Sequence, residues 1–360
     1  MNVHFLPDEK YSKPFIDFLR NKYPTNNIFF VISDKPLKYL SEEKDIVFIE
    51  WNGFSSLYNI FSKLKKIRYD KLFLHYLDHR KLFIPFMVPH NVDVYWIFWG
   101  SDLYDFIDYP IYDDDTKAYL NIKKKRKRSL ISRLHILLRK YVVKHKINYV
   151  VASEIEYEII QKFYGTKAKR IDFNYPNPVK ENFEFNQRAK CKGNIKKIIL
   201  LGNSAAIENN HLSVLKKLAE LKTDFEVIVP LSYGGSEKYI NDVLTLGKDL
   251  LGNKFIPLVN LLTPSEYQKI LDNVDVCVMN HIRQQAMGNL RYLLSQGKKV
   301  YMNKESISRK YFESKGIVLN VIPEHFDESI FDEVSDTVVK NNCEILKDIY
   351  DVNKYMGIFV

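Results

Sequence analysis

Cysteine is scarce in this chain. Its three cysteines, Cys191, Cys277 and Cys343, lie far apart, with no CxxC pair and no zinc spacing. That excludes a disulfide scaffold and a zinc module, and fits a reducing compartment. No apolar run is long enough to span a bilayer. The first residues, Met1-Asn2-Val3-His4-Phe5-Leu6-Pro7, lack the basic and apolar regions of a secretory signal. There is no internal repeat, no low-complexity segment beyond one basic run, and no convincing DxD-type carboxylate pair for a divalent ion. These absences lead to the expectation of a soluble or peripheral protein of the cytoplasm, with no metal and no cofactor.

What the chain does have is apolar bulk and positive charge. Hydrophobic residues make up 46% of its 360 residues, with 24 tyrosines and 23 phenylalanines, enough for two aromatic-rich cores. The formal net charge is +10 and the isoelectric point about 9.1, which favours an anionic partner. Part of the charge is concentrated in Lys123, Lys124, Lys125, Arg126, Lys127 and Arg128. Apolar residues at helical spacing follow, namely Leu130, Ile131, Leu134, Leu137 and Leu138. Lys117–Lys146 is therefore expected to be a basic amphipathic helix facing an anionic membrane surface, the alternative being a stripe packed on its own domain.

Short apolar runs alternate with helical patterns throughout, which argues for parallel sheets covered by helices. Strands are expected near Val3–Leu6, Ile28–Ile32, Ile46–Ile49, Leu72–His75, Val92–Trp99 and Tyr149–Ala152. In the second half they fall near Ile195–Leu201, Phe225–Pro230, Lys254–Ile256, Val274–Met279 and Lys299–Met302. Asn174-Tyr175-Pro176-Asn177-Pro178 breaks the pattern. The expected organisation is a doubly wound domain over 1–172, a linker over 173–194 and a second doubly wound domain over 195–360, facing each other across a cleft.

In open α/β sheets, ligands bind beyond the carboxyl ends of the strands. Four such turns carry unusual residues. Gly202-Asn203-Ser204 ends an apolar strand, and Asn209 and His211 follow at the next helix start. This arrangement presents backbone N–H groups to an anion, although Asn209 could equally be a helix cap. Val229-Pro230-Leu231-Ser232-Tyr233-Gly234-Gly235 is glycine-rich, and Tyr233 could stack on a base. His281-Ile282-Arg283-Gln284-Gln285-Ala286-Met287-Gly288-Asn289 pairs a guanidinium fork and two amides with a glycine-started helix, a suitable diphosphate clamp. Trp99-Gly100-Ser101-Asp102 puts a carboxylate at a strand end, either a general base or an N-cap. His75 is a second strand-end candidate.

Together these stretches resemble the bacterial transferases of 4-acetamido-4,6-dideoxygalactose (Fuc4NAc) in enterobacterial common antigen synthesis. The matching residues are Trp99-Gly100-Ser101-Asp102-Leu103-Tyr104, Gly202-Asn203-Ser204 with Asn209 and His211, Val227-Ile228-Val229-Pro230 with Tyr233, Tyr239 and Ile240, and Arg283-Gln284-Gln285 with Gly288. Order and spacing agree from about residue 70 to 315. The resemblance implies a GT-B architecture, with a dTDP-sugar donor in the C-terminal domain and an undecaprenyl-diphosphate-linked acceptor in the N-terminal one. It places the protein peripherally on the cytoplasmic face of the inner membrane. Asp102 and His75 become the candidates for acceptor activation. Gly202, Asn203, Ser204, Asn209, His211, Tyr233, Arg283, Gln284, Gln285, Gly288 and Asn289 become those for donor binding. One departure is that many GT-B enzymes place a ribose-binding glutamate five residues before the final helix glycine. Here that position is Tyr292, before Gly297.

Two other classes compete. A nucleic-acid-binding protein would use the basic run, but the sequence carries no recognisable nucleic-acid motif and no interleaved stacking aromatics. A nucleotide-sugar epimerase would need no basic membrane face.

Overall fold

The computed structural model describes residues 1–24, 26–121, 129–172, 183 and 196–359. In chain order the first part runs β1 (Asn2–Leu6), α1 (Ser12–Lys22), β2 (Asn27–Ser33), β3 (Ile46–Glu50), α2 (Phe54–Leu64), β4 (Lys71–His75), β5 (Asp93–Ile97), α3 (Ser101–Tyr104), α4 (Asp114–Tyr119), α5 (Leu130–His145), β6 (Tyr149–Val151), α6 (Glu154–Tyr164) and β7 (Lys169–Ile171). The second runs β8 (Lys197–Leu201), α7 (His211–Ala219), β9 (Phe225–Pro230), α8 (Glu237–Leu251), β10 (Phe255–Leu258), α9 (Pro264–Asn273), β11 (Val276–Met279), α10 (Met287–Ser295), β12 (Lys299–Met302), α11 (Ile307–Ser314), β13 (Asn320–Val321) and α12 (Asp336–Ile349).

Two parallel sheets result, one of seven strands in the order β3-β2-β1-β4-β5-β6-β7 and one of six in the order β10-β9-β8-β11-β12-β13. The strands are apolar on both faces, as helix-covered parallel sheets require; every residue of β1 and β11 is buried. Both orders reverse direction beside the first strand of the sheet. The switch points lie between β1 and β4 and between β8 and β11. Strands β7 and β13, of three and two residues, sit at sheet edges and carry too little apolar pattern to be read from sequence.

The chain divides into two compact units. The first holds Met1–Asp108, Arg126–Pro178 and Asp351–Val360, and the second Tyr109–Lys125 and Val179–Tyr350. This allotment departs from the expected boundaries twice. Residues 351–360 belong to the first unit, where Phe359 is fully buried against Phe73 and Phe15 and its carbonyl accepts a 2.7 Å hydrogen bond from Asn2. Residues 109–121, with α4, belong to the second. The Asp113 carboxylate caps α4 through Thr116 N–H at 2.9 Å and accepts from Ser213 and Asn280 at 2.5 and 2.9 Å. The expected helix over Lys117–Lys146 is therefore two helices. The first ends at Tyr119 with Leu120 as its C-cap, followed by Asn121 at φ +50°. The basic run 123–128, the expected linker apart from residue 183, and Cys191 lie outside the described residues. Cys277 and Cys343 are buried free thiols. Among the described residues no helix is long and apolar enough to cross a membrane.

The second unit's core joins Ile199, Leu201, Val227 and Val278 of the sheet to Leu215 and Leu218 of α7. The glycine-rich loop after β9 lies directly on the loop after β8. A methyl group on Gly235 would stand 2.4 Å from the Ala205 carbonyl oxygen, so only glycine permits this approach. Ala205 N–H donates to the Tyr233 carbonyl at 2.8 Å, which fixes the two loops together.

Candidate nucleotide-sugar site in the second unit

Most helices of the chain start with a side-chain cap. Asp113, Ser129, Ser153, Ser236, Thr263, Ser306 and Ser335 each accept a hydrogen bond from the first turn that follows. In the second unit α7 and α10 are the exceptions. Their N-cap residues, Asn210 and Ala286, make no side-chain cap hydrogen bond, and both are held at positive φ, +51° and +56°. Such strain is maintained only where the surrounding structure imposes it, and it gathers at ligand sites. The two helices follow β8 and β11, the pair that flanks the switch point. Their first-turn amides, lacking an intrahelical partner, carry the positive end of each helix dipole.

The loop after β8 is braced from within. Asn209 Nδ2 donates to the Ser204 carbonyl at 2.9 Å, the Ser204 hydroxyl at 3.2 Å and the Ala206 carbonyl at 3.1 Å. Its Oδ1 accepts from Asn203 N–H at 3.3 Å. Asn209 is thus neither a helix cap nor a free ligand group; it sets the shape of the loop. Gly202 sits at φ +70°, and a methyl there would meet His211 Nε2 at 2.9 Å and Asn209 Oδ1 at 3.1 Å. The loop after β11 joins this one through Gln285 Nε2, which donates to Asn203 Oδ1 at 3.0 Å. Arg283 stands 3.7 Å from the Glu208 carboxylate, a loose ion pair that leaves the Arg283 Nε without a hydrogen-bond partner.

The sequence-predicted donor residues thus fall into two groups. Gly202, Asn203, Ser204, Asn209, His211, Arg283, Gln284 and Gln285 come together around the switch point. Gly288 lies in the first turn of α10, and Tyr233 is 44% exposed on the adjoining glycine-rich loop. Asn289 is directed elsewhere: its Nδ2 donates to the Tyr267 hydroxyl of α9 at 2.8 Å. Tyr292, in the place of the ribose-binding glutamate, also turns to α9, its hydroxyl donating to Asp272.

Sequence reasoning passed over His281, although it opens one of the flagged turns. It is fully buried, and neither ring nitrogen has a partner. Burial, with a smaller contribution from the Arg283 charge, pushes its pKa down to about 3. His211 is also buried; its Nδ1 lies 3.1 Å from the Tyr239 hydroxyl, while Nε2 has no partner. Burial lowers its pKa to about 4. Orphan atoms on His211, His281, Arg283 and Gln285 thus cluster at two uncapped helix starts. Buried polar groups are seldom left unpaired, which makes this cluster a candidate ligand site.

The first-unit candidates have a different character. Asp102 is fully buried. Its Oδ2 accepts from Leu77 N–H at 2.9 Å and Trp96 Nε1 at 2.8 Å, and its Oδ1 from Trp99 N–H at 3.0 Å. The guanidinium of Arg139 donates to the carbonyls of Leu77 and Asp102 and to the Tyr164 hydroxyl. Burial raises the Asp102 pKa, opposed by Arg139 and these donors. The carboxylate is fully buried and already accepts three hydrogen bonds, two on Oδ2 and one on Oδ1, and so ties together the loops leaving β4 and β5. His75 is equally enclosed: its Nε2 lies 3.1 Å from His4 Nδ1, and burial lowers its pKa well below the usual value. This geometry favours a structural role for both residues over activation of an acceptor.

Asp102→Asn should accordingly behave as a stability variant. Any orientation of the amide sets its NH₂ against a backbone or indole N–H, costing about 1–3 kcal/mol. Urea titration should show the loss, with the pH dependence of turnover unchanged below the new melting range. Wild-type stability combined with a collapse in turnover would restore the proton-acceptor role.

Comparison with known proteins agrees with this architecture. A glycosyltransferase from Rickettsia africae ESF-5 is 15% identical with a TM-score of 0.65, over 99% of this chain and 97% of that one. Anabaena HepE in complex with UDP is 12% identical with a TM-score of 0.68, over 99% and 98%. WaaG, a glycosyltransferase involved in lipopolysaccharide biosynthesis, is 11% identical with a TM-score of 0.62, over 99% and 97%. The two parallel sheets are those of a GT-B glycosyltransferase. The profile described as 4-alpha-L-fucosyltransferase, glycosyl transferase group 56, matches residues 122–353, more than half of the sequence and nearly all of the second unit. The chain is a glycosyltransferase and belongs to glycosyl transferase group 56.

Proposed function

We propose that this glycosyltransferase moves a 4-acetamido-4,6-dideoxy hexose from a dTDP-sugar to a polyprenyl-diphosphate-linked saccharide, at the cytoplasmic face of a membrane. The observation that carries the donor half is the convergence at the β8–β11 switch point. Two uncapped helix starts, the Arg283 guanidinium and a set of unpaired buried polar atoms meet there. A nucleoside diphosphate matches that chemistry. Its oxygens accept from amides and guanidinium, and its charge is favoured by both helix dipoles.

As the bond from the anomeric carbon to the diphosphate oxygen breaks, negative charge grows on the departing nucleotide. Arg283 and the first turn of α10 are already oriented to receive it, so little reorganisation is required at the moment of reaction. The ion pair with Glu208 is made at 3.7 Å from Arg283 Nε, too long for a hydrogen bond, and so holds the guanidinium without saturating it. Asn209 keeps the Gly202–Ser204 turn open. The thymine base, the dideoxy sugar and the polyprenyl acceptor come from the family resemblance. The second reading is a different nucleotide-sugar, and the UDP held by Anabaena HepE makes uridine the specific rival.

A thermal-shift screen separates these. dTDP should raise the melting temperature well above the shifts given by UDP and GDP. A UDP preference would move the donor to the rival class, and no shift with any nucleotide would remove the proposed site.

A further inference from the structure

Five apolar or aromatic positions of α5 do not pack on their own domain. Its inward face is Arg139, Val142 and Val143, all buried. The opposite face exposes Leu130 (73%), Ile131 (70%), Leu134 (57%), Leu137 (62%) and Tyr141 (50%). At 100° per residue, Leu130, Leu134, Leu137 and Tyr141 fall within a 60° arc, one continuous outward stripe. Phe86, itself 45% exposed, extends it by stacking on Tyr141 with ring centroids 6.0 Å apart. Large apolar side chains are common on surfaces one at a time; a helix face made of them marks a contact.

The charge around the stripe identifies the occupant. Exposed Arg133, Lys140 and Lys144 border it on one side. Lys123–Arg128 precede it in sequence, and no aspartate or glutamate occurs between Asp115 and Glu154. A second copy of this chain would bring like charge against like charge. A surface that is apolar beneath and anionic at its rim fits both features.

We infer that α5 is a membrane-docking helix. Its Leu130–Tyr141 stripe enters the acyl boundary of an anionic leaflet, and Arg133, Lys140 and Lys144 lie among the headgroups. The purpose of this surface rests on the membrane-borne acceptor proposed above; the binding itself does not. A stripe of this kind adds a component that salt does not screen. The basic residues draw the protein to the surface, and their contribution falls as ionic strength rises. The apolar contact remains.

The test is co-sedimentation of the full chain with vesicles of phosphatidylcholine, alone or mixed with phosphatidylglycerol, across a salt series. Wild type should pellet with the anionic vesicles, weaken as salt rises, and keep a residual bound fraction at high salt. The double variant Leu134→Glu/Leu137→Glu should lose about tenfold or more in partitioning at every salt concentration, and Leu134→Ser/Leu137→Ser should move the same way by less. Both positions are exposed, so folding should be unaffected, which circular dichroism would verify. Equal pelleting of wild type and both variants would overturn the proposal, as would absence of wild-type binding to either vesicle. Wild type that self-associates without lipid, beside monomeric variants in sedimentation velocity, would overturn it in favour of an interface between copies. A dTDP thermal shift on the same samples reports the donor site. Its absence alongside intact vesicle binding would count against the donor reading only.

Discussion

Arg283→Ala should lower kcat by about tenfold or more, the scale of losing a charge-assisted contact that strengthens in the transition state. Among the described residues the guanidinium makes a 3.7 Å ion pair with Glu208 and a 3.4 Å hydrogen bond to the neighbouring Gln284 carbonyl. Removing it should therefore cost little stability, so the loss can be assigned to chemistry. Arg283→Lys restores the charge but not the planar fork, and should recover only part of the rate. The expected pattern is a large fall in kcat with a melting temperature near that of wild type. Unchanged turnover in Arg283→Ala would exclude the residue from the site. A matching fall in melting temperature would make it a structural residue instead.

Acid should unfold this protein well before its carboxylates are neutralised. Four buried histidines are held neutral by burial: His4 at about 3, His281 at about 3, His211 at about 4 and His75 well below its usual value. Their folded pKa values lie below the unfolded value of 6.5. Above pH 6.5 both states hold neutral rings and nothing is lost. Below it the unfolded chain binds protons that the folded chain refuses, so stability falls. Each ring costs about 1.4 kcal/mol per pH unit until its folded pKa is reached. Hydrogen bonding accounts for the pair in the first unit. His4 Nε2 donates to Asn27 Oδ1 at 3.1 Å, so its Nδ1 must accept from His75 Nε2 at 3.1 Å. A proton on His4 would oppose N–H to N–H.

Glu156 works against this in the first unit. Burial raises its pKa to about 8, so it favours the folded state at low pH and loses that contribution as pH rises from about 4.5 to 8. As pH falls, the first unit therefore carries two unfavourable histidines opposed by Glu156 and, in the same direction, by the buried Asp102. The second carries His211 and His281, for a slope of about 2.8 kcal/mol per pH unit. All three tryptophans, Trp51, Trp96 and Trp99, lie in the first unit. Denaturant titrations from pH 7 to 5 should show the midpoint followed by tryptophan emission moving less than that followed by far-UV circular dichroism. Midpoints independent of pH would mean that these rings are protonated in the folded chain.

The alternation of strands and helices was legible because it is written in local periodicity. Eleven strands were expected and stand within three residues of their observed ends, and β9 and β12 coincide with theirs. The candidate donor turns were legible for the same reason. Gly202-Asn203-Ser204 and Arg283-Gln284-Gln285 each follow an apolar run, and parallel topology brings the ends of β8 and β11 side by side. The sequence by itself therefore determined the fold class, the family and the position of the candidate donor loops.

What only the tertiary structure decided depends on residues far apart in the chain. Asp102 reads equally well as a base or as a buried tie. Leu77, Trp96, Trp99 and Arg139 make it a tie, and no local pattern announces Arg139. His4 and His75 are 71 positions apart until parallel pairing of β1 and β4, with His4 opposite Phe73, makes them diagonal neighbours on one face of the sheet. Phe359 is unremarkable in sequence, yet it completes the core of the first unit. The α5 stripe is the opposite case. Its period was evident, but periodicity gives the angle of an apolar face and not what lies opposite it. The fold placed Arg139, Val142 and Val143 inward and left the leucines facing out. Period and turn chemistry are properties of neighbouring residues, whereas burial, pairing and exposure are properties of the space the whole chain encloses.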